Sequence, residues 1–166
     1  MMTGDPVLAG GCDCGEVRYQ LIGPPLFVHC CHCRWCQRET GTAFALNAMI
    51  ETERLTLLRG MTEVIMTPSH SGMGQKIMRC PGCRLALWSH YGGGGDAVAF
   101  IRVGTLDEPH RVSPDIHIYT TSKQPWVVIP AGLPAVEEFY RLDDYWPPES
   151  LERRRILREQ RSRPQS

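Results

Sequence analysis

The eight cysteines of this 166-residue chain fall into short, separated groups, and their spacing constrains the fold more than any other feature. They stand as Cys12-Asp13-Cys14, Cys30, Cys31-His32-Cys33-Arg34-Trp35-Cys36 and Cys80-Pro81-Gly82-Cys83. The opening Met1-Met2-Thr3-Gly4-Asp5-Pro6 has neither a basic nor an apolar leader region, and no later stretch approaches a membrane-spanning length. The expectation is a cytoplasmic protein without a membrane partner. In that reducing compartment crowded cysteines are poor disulfide candidates and good metal or redox groups.

A Cys-x-x-Cys turn converges two sulfurs on one zinc, and a Cys-x-Cys at a strand end puts both sulfurs on one face, so each pair is half a tetrahedral site. Two halves far apart in sequence would close a structural zinc that ties distant strands. Spacing leaves the pairing open, since Cys33 and Cys36 with Cys80 and Cys83 also satisfy a four-sulfur rule. If Cys12 and Cys14 join Cys80 and Cys83 instead, Cys31, Cys33 and Cys36 remain as a three-sulfur group. Zinc with three protein ligands and one exchangeable position is the arrangement of a reactive site. With residues 26–33 extended, Cys31 and Cys33 share a face, whereas Cys30 falls on the other as a small core residue and His32 points away from the two sulfurs. His32 is accordingly expected to pack or to support the ligands from behind.

The chain is about one domain long, with lysine plus arginine and aspartate plus glutamate balanced at 18 each, which argues against a protein built to grip nucleic acid. Alternation marks strands at residues 16–21, where Val17, Tyr19 and Leu21 oppose Glu16, Arg18 and Gln20, and at 43–50, 63–66, 85–91 and 97–103. The body is therefore mainly β. Gly92 to Gly95 lack the lysine and hydroxyl of a phosphate loop and read as a hairpin end. Helix is expected at 34–40, stopped by Gly41, and at 148–161. Residues 149–166 hold six arginines against three glutamates and read as a solvated helix outside the core.

Two ordered stretches resemble a known family: Gly10-Gly11-Cys12-Asp13-Cys14-Gly15-Glu16-Val17-Arg18-Tyr19, and Cys31-His32-Cys33-Arg34-Trp35-Cys36-Gln37-Arg38 with Thr40-Gly41. Arg79-Cys80-Pro81-Gly82-Cys83, Gly104-Thr105-Leu106-Asp107, Pro114-Asp115-Ile116-His117-Ile118 and Trp126 follow in the same order. The pattern, over residues 10–126, is similar to the glutathione-dependent formaldehyde-activating family, which includes the centromere protein V domain. The resemblance implies a zinc-bound β-tent of small antiparallel sheets with short helices and, in this chain, a helical C-terminal tail. The chain is expected to divide into an arm at 1–9, the zinc-binding domain at 10–148 and a charged tail at 149–166, the tail lying outside the shared motifs. It implies two zinc ions, a structural one on Cys12, Cys14, Cys80 and Cys83 and a catalytic one on Cys31, Cys33 and Cys36. The implied activity is that of a carbon–sulfur lyase, S-(hydroxymethyl)glutathione synthase, whose small-molecule partners are a thiol such as glutathione and an aldehyde. Arg84 departs from the family, which usually carries glycine after the last Cys-x-x-Cys.

Three protein thiolates on a doubly positive ion leave a net −1, which favours holding a substrate thiolate over making a strong zinc hydroxide. His117 is a candidate to orient a ligand or pass a proton, against a structural role of equal weight. Trp126 is a candidate pocket wall, against the commoner core reading of a lone tryptophan in a β domain. Trp35 and Arg34, inside the cysteine loop, have the better claim to pocket contact, and Arg34 or Arg38 is a partner for a substrate carboxylate. Competing readings are a lyase or transferase acting on another thiol adduct, a non-catalytic zinc module binding protein or nucleic acid, and a redox pair of Cys33 and Cys36.

Overall fold

The computed structural model describes residues 6–92 and 95–162. Gly93 and Gly94 of the glycine run, residues 1–5 of the arm and residues 163–166 of the tail lie outside the described residues. The mainly β expectation holds: the described residues build two sheets and two α-helices, one of them in the C-terminal segment. Among the described residues no helix is long and apolar enough to cross a membrane.

The smaller sheet is antiparallel, ordered β1 (Val7–Gly11), β2 (Arg18–Ile22), β5 (Leu55–Arg59). Pairing begins at Val7, opposite Ile22, so the arm's last three residues are sheet. The larger sheet runs β10 (Ile116–Ile118), β3 (Phe27–Cys31), β4 (Ala45–Glu51), β9 (Val98–Arg102), β8 (Ala86–Tyr91), β7 (Gln75–Arg79), β6 (Glu63–Thr67). All its pairs are antiparallel except β10 on β3, where His117 sits opposite Cys30.

The alternation at residues 16–21 has its cause in the core between the sheets: Val17, Tyr19 and Leu21 are fully buried against Val28, Ile50, Leu87 and Ile101. Fully burying each such side chain contributes roughly 1.5–3 kcal/mol. Tyr19 meets Trp88 edge-on at 5.7 Å, and its hydroxyl pairs with Thr105 Oγ1 at 2.7 Å. Arg18 donates to Asp107 Oδ1 at 2.8 Å, so Gly104-Thr105-Leu106-Asp107 clamps the smaller sheet to the larger.

A second apolar cluster covers the other face of the larger sheet and contains Phe27, Met49, Val98, Ile116, Trp146 and the cysteines at 31, 33 and 36. Helix α2 (Pro148–Ser162) closes it, correcting the expectation of a solvated tail. Leu151 and Leu157 pack against the cluster, Ser150 is buried, and Arg153 forms an ion pair with the buried Glu51 at 2.5 Å. Arg154 lies over the Trp146 ring at 5.9 Å, and Arg155 is bracketed by Glu152 and Glu159. Charge counting could not see this because the partners of Arg153 and Arg154 lie outside the helix.

Arg84 has φ 65, the left-handed region in which a Cβ costs roughly 1–2 kcal/mol, which explains a glycine preference there. Arg84→Gly and Arg84→Ala both remove its ion pair to Glu63, but only alanine keeps the Cβ. The glycine variant should be more stable than the alanine variant by about 1 kcal/mol. Denaturant midpoints check this, and equal midpoints would contradict it.

Candidate metal centres

The sulfurs of Cys12, Cys14, Cys80 and Cys83 lie within 4.8 Å of one another. Cys12 and Cys14 come from the turn between β1 and β2, and Cys80 and Cys83 from the turn between β7 and β8, so the cluster joins the two sheets. Each turn is closed by its own backbone bonds, Cys12 N to Val17 O at 3.1 Å and Cys80 N to Leu85 O at 3.0 Å. The sulfur separations fit one ion: Cys12 to Cys14 is 3.4 Å and Cys14 to Cys80 is 3.6 Å. A tetrahedron with zinc–sulfur bonds of about 2.3 Å has edges of about 3.8 Å. The Val17 N–H donates to the Cys12 sulfur at 3.2 Å, and the backbone amides of Leu85 and Cys14 pull the Cys83 thiol down to about 6. Amides aimed at sulfur favour thiolate, the form a metal needs. Gly82 leaves room for the Glu16 carboxylate beside the cluster, since a Cβ there would have to push that side chain aside.

Cys31, Cys33 and Cys36 form a second cluster, again within 4.8 Å, and among the described residues no fourth histidine, cysteine or carboxylate joins them. Cys31 ends β3, Cys33 caps the N-terminus of helix α1 (Arg34–Thr40), and Cys36 lies one turn in. The Cys33 sulfur accepts the Cys36 N–H at 3.3 Å, and Gly41 ends the helix at φ 67, as its sequence position implied. All three cysteines are buried. Hydrogen bonds from Cys31 and Cys36 hold Cys33 far below the ordinary thiol range, whereas the hydrogen bonds to Cys33 and Cys36, followed by burial, push Cys31 up. Cys36 is drawn down by Cys31, but Cys33 and burial outweigh this and carry it up. One thiolate is thus stable in the cluster and three require a cation, so this donor set fits a thiophilic metal.

All eight cysteines are free of disulfide bonds. Cys30 is buried, as expected, but it belongs to a third group with His32 and His117. His32 Nε2 and His117 Nδ1 are 2.9 Å apart with rings stacked at 5.2 Å, and Cys30 Sγ is 3.7 Å from His32 Nε2. Burial, followed by the charges of His117 and Lys123, lowers His32 to about 4, and burial lowers His117. The two imidazoles are therefore a neutral, hydrogen-bonded pair behind the cysteine loop. The parallel β10–β3 register creates it, and no local pattern announces a pairing across 85 residues.

Gln37 locks α1 in place. Its Nε2 donates to His32 O at 2.7 Å and Ser122 O at 2.8 Å, while its Oε1 accepts from Arg34 and from Gln124 Nε2 at 2.7 Å. Arg34, Arg38, Gln124 and Trp126 line an open groove of about 560 Å³, and none of the cysteines lines it. Trp126 is 71% exposed there, which decides for the pocket wall over the core reading. Trp35 packs against the apolar cluster instead of the groove.

The surroundings of the three sulfurs include groups with no cysteine-like sequence signal. Arg102, 8% exposed, donates to Asn47 Oδ1 at 2.6 Å, and its charge favours ionised Cys36. Tyr91 and Tyr119 are raised by burial and then by the cysteine charges. The charge of His70, in the loop between β6 and β7, favours ionised Cys33.

A family model described as glutathione-dependent formaldehyde-activating enzyme matches residues 7–122. No curated protein matches the chain. Among solved structures, the crystal structure of a Rhodobacter sphaeroides protein aligns with 20% identity and a TM-score of 0.47, covering 64% of this chain and 91% of that one.

Proposed function

The chain belongs to the glutathione-dependent formaldehyde-activating enzyme family, and on that premise we propose that it joins a glutathione-like thiol to an aldehyde, or releases them, as a carbon–sulfur lyase at Cys31, Cys33 and Cys36. The observation that carries this reading is the three-sulfur set without a fourth donor among the described residues. Zinc held there would supply the charge that keeps an incoming thiol in its thiolate form. The chain's part is to hold three sulfurs on one side of the centre, using the β3 end and the α1 N-terminus, and to leave the remaining side to substrate. The charge of Arg102 offsets part of the negative charge at Cys36, and the buried His32 and His117 pair ties the cysteine loop to β10. A second zinc on Cys12, Cys14, Cys80 and Cys83 is structural in this account, because a four-sulfur set leaves no position for substrate.

A cytoplasmic setting suits both clusters, since they need reduced thiols. Three of the tail's six arginines, Arg153, Arg154 and Arg155, are engaged by Glu51, the Trp146 ring and Glu152 with Glu159, which counts against a nucleic-acid surface on the helix. Turnover of the zinc-loaded protein with glutathione and formaldehyde, followed by other thiols and aldehydes, tests the reading. Adduct formation above the uncatalysed rate is expected with at least one pair, and preference for another thiol would reassign the substrate. Uncatalysed rates with every pair would overturn the enzyme assignment.

A further inference from the structure

Trp126 is held out of the core by a closed turn. Pro125 takes the second position of the turn 124–127, the Val127 N–H donates to Gln124 O at 3.0 Å, and Lys123 Nζ donates to Val127 O at 2.7 Å. The indole stands at the third position, largely exposed, and makes no ring contact among the described residues. With α1 it lines the groove of about 560 Å³, a size that takes small ligands.

The walls of this groove are fixed from within. Gln37, 6% exposed, spends both amide hydrogens on His32 O and Ser122 O and both lone pairs of its oxygen on Arg34 and Gln124. One side chain thereby ties α1 to the 122–126 segment. Arg34 and Arg38 lie one turn apart on the groove side of α1, with roughly 6 Å between Cβ atoms. Arg34 has a single acceptor, the neutral Gln37 amide, and Arg38 has no hydrogen bond, ion pair or ring contact among the described residues. Elsewhere on the surface Arg18, Arg79, Arg84, Arg111 and Arg155 each meet a carboxylate. Among the described residues no carboxylate lines the groove. Two positive charges in a concave wall without a counter-charge focus their field on an entering anion.

We propose that the groove is a binding site for a small peptide-like carboxylate. The guanidinium forks of Arg34 and Arg38 match the paired oxygens of a carboxylate. The Gln124 oxygen, free among the described residues, accepts the N–H that neighbours a carboxylate in an amino acid or peptide. The exposed Trp126 face takes the ligand's apolar atoms. The inference stands on the groove alone and uses no step of the reaction proposed above.

The test is isothermal titration calorimetry of the zinc-loaded protein with S-methylglutathione, a tripeptide with two carboxylates whose blocked sulfur cannot bind a metal as thiolate. One equivalent should bind, and the dimethyl ester of the same probe should bind roughly tenfold or more weakly. Arg38→Gln removes a charge and no internal contact. It should weaken the tripeptide roughly 10–100-fold, as loss of a charge-assisted hydrogen bond does, with melting point and zinc content unchanged. Trp126→Ala should weaken it by up to about tenfold. Arg111→Gln, which removes the same charge outside the groove, should bind as wild type does. An ester that binds as tightly as the tripeptide, an unimpaired Arg38→Gln, or equal losses in Arg38→Gln and Arg111→Gln would overturn the carboxylate site. Inorganic phosphate binding as tightly as the tripeptide would overturn the peptide assignment, and no binding at millimolar tripeptide would overturn the site itself. None of these readouts uses turnover. An inactive protein that binds the tripeptide through Arg38 therefore removes the reaction and keeps this inference, and an active one indifferent to Arg38→Gln does the opposite.

Discussion

Replacing Cys80 with serine should leave a protein without a cooperative unfolding transition at 37 °C. The Cys80 sulfur is fully buried 3.6 Å from that of Cys14, a residue 66 positions away and attached to the other sheet. A metal on the four sulfurs therefore closes a long-range link between the sheets at their turns, alongside the Tyr19–Thr105 and Arg18–Asp107 clamps. Structural zinc contributes an apparent 10–16 kcal/mol in small zinc peptides, comparable with the entire stability of about 5–15 kcal/mol of a domain. Three remaining thiolates bind more weakly and leave charge uncompensated beside Glu16, whose carboxylate is 3.8 Å from the Cys80 sulfur. Circular dichroism melting of the variant against wild type checks this. A variant that melts within a few degrees of wild type would remove the structural role from these four residues.

Replacing Cys33 with serine should do the reverse, abolishing thiol–aldehyde turnover by at least about 10³-fold while the fold survives, as loss of an activating metal at the reacting centre would. Serine is the informative replacement, because Cys33 caps α1 by accepting the Cys36 N–H, and an alanine there would lose a cap worth about 1 kcal/mol. A serine oxygen keeps the cap and discards the sulfur. The variant should retain one zinc per chain and a melting point near wild type. Full turnover with two zincs retained would show that Cys33 is not a ligand.

The sequence reveals this site in proportion to how local its signals are. Helix α1 and its Gly41 stop are written within eight residues, and the structure has them at those positions. The alternation of Val17, Tyr19 and Leu21 is visible because one face of β2 is buried and the other is not. Strand β5 lacks that contrast, since residues from Thr56 to Arg59 are all exposed, and β10 has only three residues. Strand β3 is buried along its whole length and shows no contrast of polarity, yet its two-residue period still separates Phe27, Cys31 and Cys33 from Val28 and Cys30.

The remaining failures come from contacts between distant segments. The His32 and His117 pair depends on a parallel register, and α2 joins the core through Glu51, more than a hundred residues earlier. For Trp126 residue-type preference favours the core, which its place in a groove wall overrides. Arg102 and His70, whose charges favour ionised Cys36 and Cys33, carry no spacing at all.

The central claim is a closed zinc that holds the sheets together and an open one that takes a thiol. Native mass spectrometry of the zinc-loaded protein, before and after adding glutathione, measures both at once. The account predicts two zincs per chain, with one glutathione added to wild type and none added to Cys33→Ser, which keeps a single zinc. One zinc per chain in wild type, or two zincs with no uptake of any thiol, would contradict it.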